Sequence, residues 1–112
     1  MRLVKAARLT LRREFLAVQE RGRKAASGGA YLVVTLPNQL GLARLGVTVS
    51  SRVGNAVERN RVKRWVREAF RARAAGLPAV DVVVIARSGA PVGGLEAARR
   101  ALGGVREARG GA

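Results

Sequence analysis

Two hydrophobic periods take turns along the 112-residue chain. Leu11, Phe15 and Val18 recur at i, i+4 and i+7, the spacing of one helical face. Thr10 stands where a cap would precede a helix starting at Leu11, and Gly22 stands where that helix would stop. Ser27-Gly28-Gly29 reads as a loop. The period then falls to two. Residues 31–36 predict a strand ended by Pro37-Asn38. Leu32, Val34 and Leu36 form its apolar set, expected to be buried, and Tyr31, Val33 and Thr35 form a half-open face. Residues 45–50 predict a second strand, with Leu45, Val47 and Val49 on one side and Gly46, Thr48 and Ser50 on the other. Each strand pairs an apolar face with a smaller, more polar one, which predicts a sheet with one face only partly covered.

Helical spacing returns at Asn55. Glu58 follows three residues later, in the position of a capping box, and the helix runs to about residue 75 before Gly76-Leu77-Pro78. Gly54 reads as a backbone position with an unusual φ. Residues 80–86 are a nearly continuous apolar run, as in a strand buried on both faces. Residues 88–94 read as a loop. Leu95, Ala98, Leu102 and Val105 predict a last helix, in which Gly103-Gly104 cost about 1 kcal/mol each relative to Ala. No repeat, linker or second boundary is visible. The expectation is one domain over residues 1–112, frayed at 1–7 and 108–112. Its order of elements makes it an α+β two-layer sandwich.

Composition changes the picture from fold to partner. Lys and Arg number 22 against 7 Asp and Glu, a formal charge of +15, and there is no His or Cys. Disulfide scaffolds, Cys/His metal sites and His-based nucleophilic catalysis are excluded. Asp81 is the only Asp, and the Glu residues are scattered, so paired-carboxylate catalysis has no local basis. Hydrophobic residues make up 48% of the chain, far above a solvated basic tail, so the charge sits on something folded. No apolar run approaches about 18 residues, and the first residues lack a secretory h-region. The expected location is the cytoplasm. A GC-rich genome would by itself produce the preference for Arg over Lys, so that preference carries little functional weight.

The charge is concentrated. Eight of the 22 cations lie between Arg52 and Arg73 and eight more precede Ala25. On a wheel at about 100° per residue, Arg59, Asn60, Arg61, Lys63, Arg64, Arg67 and Arg71 fall within about 200° of arc. Val62, Trp65, Val66 and Ala69 fill the remainder as a core face, with Phe70 at its edge. Only Glu58 and Glu68 interrupt the cations. A stripe of unpaired cations repels itself, and an anionic ligand offsets that cost. Arg forks grip phosphates of DNA or RNA alike. Asn60 adds a neutral donor–acceptor pair within the grip.

Gly54-Asn55-Ala56-Val57, Arg59-Asn60-Arg61-Val62-Lys63-Arg64 and Arg67-Glu68-Ala69-Phe70 resemble, in that spacing, the signature of the bacterial ribonuclease P protein subunit family. The resemblance covers most of the chain. It includes Arg8-Leu9, the helix from Phe15 to Gly22, the strand from Leu45 to Ser50 and the run from Asp81 to Arg87. It implies an α-β-β-β-α-β-α order with a first short strand near 23–26 and a left-handed β-α-β crossover, a fold of the kind seen in a domain of a small-subunit ribosomal protein. It implies a protein that binds a large catalytic RNA, which with Mg²⁺ removes the 5′ leader of precursor tRNA. The protein then supplies no catalytic group and holds no metal of its own, and no DNA or membrane partner is expected.

Carried over residue by residue, Arg59, Asn60, Arg61, Lys63, Arg64 and Arg67 contact the RNA, with Arg71 extending the stripe and Arg52 within reach of phosphate. Phe15, Gln19, Tyr31, Val33 and Thr48 line the cleft for the single-stranded leader, which aromatic stacking and nearby cations would hold. The sequence departs from the family at Gln19 and Val33, where aromatics are common, and at Ser51-Arg52, where a basic pair is frequent. Phe15 at i+4 from Leu11 fits a core position as well as a cleft position. A ribosomal or general RNA-binding protein is the alternative reading, and a metal-dependent nuclease is a third that lacks clustered carboxylates.

Overall fold

The computed structural model describes residues 7–26 and 29–105. Along the chain the elements are α1 (Arg12–Arg21), β1 (Arg23–Ala26), β2 (Tyr31–Pro37), β3 (Arg44–Thr48), α2 (Ala56–Arg73), β4 (Val80–Ala86) and α3 (Ala90–Leu102). A single 3₁₀ turn, Ala74–Gly76, ends α2. The order is the one the family resemblance implies, β1 included. The strands form one sheet in the order β1-β2-β4-β3. β4 lies at its centre, antiparallel to β2 and parallel to β3, so α2 is the crossover between two parallel neighbours.

Burial explains why β4 is an unbroken apolar run. Val82, Val83 and Val84 are all essentially inaccessible to solvent, although they alternate between faces. On one face α2 and α3 pack over Tyr31, Val33, Leu45, Val82, Val84 and Ala86. α2 contributes Val62, Val66, Ala69 and Phe70, the arc predicted for its core side. Trp65 packs against the same cluster while half-exposed. On the other face α1 lies alone, with Val18 buried against Leu9, Val34 and Val83.

This arrangement corrects the reading of β2. Tyr31 and Val33 are 2% and 0% exposed, whereas Leu32 and Leu36 are only partly buried. The better-covered face of β2 is the one with Tyr31 and Val33, because two helices cover it. Other corrections are local. α1 starts at Arg12 with Leu11 as its N-cap, and no side chain caps it from the Thr10 position. Instead Glu14 reaches back and accepts from the N–H groups of both Thr10 and Leu11 at 3.1 Å. β3 spans 44–48 rather than 45–50. The expected loop at 88–94 contains the first turn of α3, and the helix kinks at Gly94, whose φ is 64°. α3 ends at Leu102, but Val105 is buried all the same. Ala7, expected to fray, is buried, while residues 1–6 and 108–112 lie outside the described residues.

α2 begins as expected. Asn55 accepts from the Glu58 N–H at 2.9 Å and Glu58 accepts from the Asn55 N–H at 3.0 Å. Gly54 does not have a positive φ. It leaves room for that cap, because a Cβ there would lie 2.3 Å from Glu58 Oε1.

One polar network ties the layers together. Arg44 donates from Nε and Nη2 to the two oxygens of Asp81, each at 2.8 Å, and from Nη1 to Glu14 at 3.0 Å. Asn38 donates to Asp81 at 2.7 Å and to the Leu42 carbonyl. The fork thus joins α1, β3, β4 and the β2–β3 connection. A bidentate, partly buried pair of this kind is stronger than a surface ion pair. The N–H groups of Leu11 and Thr10 and the Arg44 guanidinium hold the Glu14 carboxyl below the usual carboxylate range, against a smaller opposing effect of burial. The folded state therefore favours ionised Glu14. Its contribution to stability is complete above the ordinary Glu pKa of about 4.3 and disappears as pH falls through the lowered folded value. Urea unfolding at pH 7 and at pH 3 should show this loss, and Glu14→Gln should make the acid side of the stability profile shallower.

Candidate functional site

The face of the sheet under α1 is best described in cross-strand rows. Leu36, Asp81 and Arg44 form one row, Val34, Val83 and Gly46 the next, and Leu32, Ile85 and Thr48 the third. The first row is occupied by the Arg44 fork. The second lies under α1, with Val34 and Val83 buried against Val18. The third is only partly covered: Leu32 and Ile85 are half-buried and Thr48 is exposed. This row is the floor of an open apolar cleft beside α1.

Phe15 forms one wall. Its ring lies against the backbone of Gly46, where a Cβ would sit 2.6 Å from the ring. Gly46 is therefore required by close approach. Phe15 packs on the second apolar cluster and remains partly exposed. Gln19 is exposed one turn later on the same side of the helix.

Of the expected cleft residues, Phe15 lies over Gly46 on this face, Thr48 is exposed in the third row, and Gln19 is exposed one turn along α1. Tyr31 and Val33 do not join them, because they lie on the opposite face beneath α2 and α3. Leu32 and Ile85 take their place. Pairing of β2 with β4 decides this, because Leu32 is opposite Ile85 and Ile85 is opposite Thr48. Burial pushes the Tyr31 hydroxyl pKa up, and its oxygen has no hydrogen-bond partner among the described residues.

The second candidate surface is the outer side of α2. Asn60, Arg61, Arg64 and Arg67 are exposed, and Arg59, Lys63 and Arg71 are half-exposed. Arg52 is exposed in the turn between β3 and α2. Among the described residues the ion pairs are Arg44 with Glu14, Arg44 with Asp81, and Arg99 with Glu96, so none involves the α2 stripe. Glu58 is occupied by the helix cap. At the two ends of the stripe, Arg59 Nε and Arg71 Nη1 are buried with no hydrogen-bond partner among the described residues. Desolvated donors of a charged group that lack acceptors are costly. They lie about 18 Å apart along the helix axis at 1.5 Å per residue. The stripe is thus an unneutralised cationic surface with donors lacking protein acceptors.

The acid side chains are placed differently. Among the described residues no group of three or more His, Cys, Asp or Glu could hold a metal ion. Glu14 and Asp81 are bound to Arg44. No helix among the described residues is long and apolar enough to cross a membrane.

Fold and site define a class: small, strongly basic α+β proteins that present a cationic helix on one face of a sheet and an open apolar cleft on the other. Comparison with known proteins makes this specific. The family model for ribonuclease P matches residues 3–105, and the chain belongs to the ribonuclease P protein family as a protein subunit of that endoribonuclease. The ribonuclease P protein component of Desulfatibacillum aliphaticivorans is 48% identical over 84 residues, covering 74% of this chain and 70% of that protein. That of Thermotoga maritima is 42% identical over 81 residues, covering 71% and 68%. The solved structure of the Staphylococcus aureus RNase P protein superposes with a TM-score of 0.80 at 32% identity, over 90% of this chain and 93% of that one.

Self-repulsion along α2 has a measurable consequence. Sulfate or phosphate should raise the melting temperature of the free protein more than chloride at equal ionic strength, because anions bound to the folded stripe stabilise it by mass action. Arg59→Ala with Arg64→Ala should reduce that difference.

Proposed function

We propose that this chain grips the catalytic RNA of ribonuclease P along α2 and holds the single-stranded 5′ leader of precursor tRNA in the cleft beside α1. The observation that carries this reading is the separation of the two surfaces. The α2 cations stand on one side of the sheet and the Phe15–Leu32–Ile85–Thr48 cleft opens on the other. One protein can then hold two RNA segments at once. Arg59, Arg61, Lys63, Arg64 and Arg67 supply phosphate contacts, with Arg52 and Arg71 at the ends of the stripe. Asn60 offers a donor and an acceptor to sugar or base. The cleft supplies a stacking surface from Phe15 and a polar contact from Gln19.

In this reading the protein supplies binding and orientation and no reacting group. Mg²⁺ enters with the RNA, and no step runs through a metal held by the protein. Glu14 and Asp81, at the end of the sheet away from the cleft, are paired with Arg44. The reading places the protein in the cytoplasm with its RNA partners, the catalytic RNA and precursor tRNA.

Reconstitution with the cognate catalytic RNA at low Mg²⁺ should increase 5′ cleavage of precursor tRNA over RNA alone. No increase would overturn the proposal, and cleavage by the protein alone would assign it a catalytic role. Arg64→Ala should weaken binding to the catalytic RNA by about 1 kcal/mol and make the salt dependence shallower by about one phosphate contact. An unchanged slope would place Arg64 outside the interface. Phe15→Ala should weaken precursor tRNA by about 1–3 kcal/mol, the value of one stacking contact, and leave mature tRNA unchanged.

A further inference from the structure

The contacts around α1 place its side chains on opposite sides of one buried residue. With Glu14 at zero on the helical wheel, Val18 falls at about 40°, Phe15 at about 100° and Gln19 at about 140°. Val18 is fully buried on the sheet. Glu14 therefore leans toward the Leu36–Asp81–Arg44 row, and Phe15 and Gln19 lean the other way, toward the open row.

The ends of the helix are held by backbone contacts. Before it, the Leu9 N–H donates to the Leu45 carbonyl at 2.9 Å on the edge of β3. After it, Gly22 packs so closely on β2 that a Cβ would lie 2.6 Å from the Thr35 carbonyl oxygen. Those contacts fix where α1 starts and stops. They leave its rotation about its own axis to side chains. On the side away from the cleft, the only ion pair to the helix among the described residues is Glu14 with Arg44 at 3.0 Å. Arg44 cannot move to follow it, because its other two donors are held by Asp81.

We propose that Arg44 is a positioning residue for the leader cleft: through Glu14 it fixes the roll of α1, and so sets where Phe15 and Gln19 stand over the Leu32–Ile85–Thr48 row. Arg44 acts from the far side of the helix and touches no RNA in this arrangement. Asp81 serves the same end by holding the guanidinium in one plane. The proposal rests on the reading of the cleft as the leader site.

The test uses the reconstituted holoenzyme. Glu14→Gln keeps the side-chain shape and an oxygen acceptor for the Thr10 and Leu11 N–H groups, so the helix start stays capped while the ion pair is lost. The expected result is a roughly fivefold rise in KM for leader-bearing precursor tRNA with kcat unchanged. Affinities for mature tRNA and for the catalytic RNA should stay within about twofold. In a Phe15→Ala background, Glu14→Gln should have less than about a twofold further effect, because the group being positioned is gone. Arg44→Lys keeps the cation over Asp81 but loses the fork, and it should give the same selective loss from the other side of the pair. Unchanged KM in both variants would overturn the proposal. So would an equal loss for mature tRNA or catalytic RNA, which marks a general structural role, or full additivity with Phe15→Ala. If Phe15→Ala itself leaves precursor affinity unchanged, the cleft reading fails and the positioning role fails with it. A loss on Phe15→Ala beside an unaffected Glu14→Gln overturns the positioning role alone.

Discussion

A central strand buried on both faces is the constraint on which this structure depends. β4 has Val82 and Val84 on one side and Val83 on the other, all excluded from water. A strand of that kind requires cover twice, because each exposed Val would forfeit about 1.5–3 kcal/mol. The described residues hold three α-helices for the purpose. Two of them, α2 and α3, cover one face, which leaves α1 for the other. A ten-residue helix is about 15 Å long, while a seven-residue strand is about 23 Å long. One such helix cannot close the whole face. The row from Leu32 to Thr48 stays open as a result, and the cleft follows from helix length.

The few acids of this protein are spent on architecture. Glu14 and Asp81 converge on Arg44 and join β3 and β4 to α1. Glu58 closes the start of α2. With these acids so engaged, no ion pair among the described residues neutralises the α2 stripe from Arg59 to Arg71. The same helix is therefore a sound core element on one side and an unneutralised surface on the other. Neutralisation by an external polyanion is the complement of that imbalance, and it matches the membership of the ribonuclease P protein family.

Much of this was legible from residue patterns. The Asn55–Glu58 cap, the core arc of α2 and the two-sided burial of residues 80–86 all follow from local spacing and composition. The cationic stripe was legible for the same reason, since helical periodicity alone places its residues on one side. The cleft was legible in part. Phe15 and Thr48 lie on the partly covered face of the sheet, whereas Tyr31 and Val33 lie on the opposite face and Leu32 and Ile85 stand in their place. Alternation in β2 identifies two sets of side chains and does not say which set meets two helices and which meets one. Leu32, Val34 and Leu36 are the more apolar set, so hydrophobicity pointed to the face that only one helix covers. The Arg44 fork was not legible either. Glu14, Arg44 and Asp81 are far apart in the chain, and each is unremarkable in its own segment.

The sequence by itself therefore determined the elements, the charge and the face of α2 that carries it, because these depend on residues within a few positions of one another. Tertiary structure decided which side of the sheet stays open, that Gly46 must be bare for Phe15 to lie on it, and that one guanidinium joins α1 to β4. Those outcomes depend on strand register and on which helix lands on which face, and a shift of one residue in register would exchange the two faces of β2.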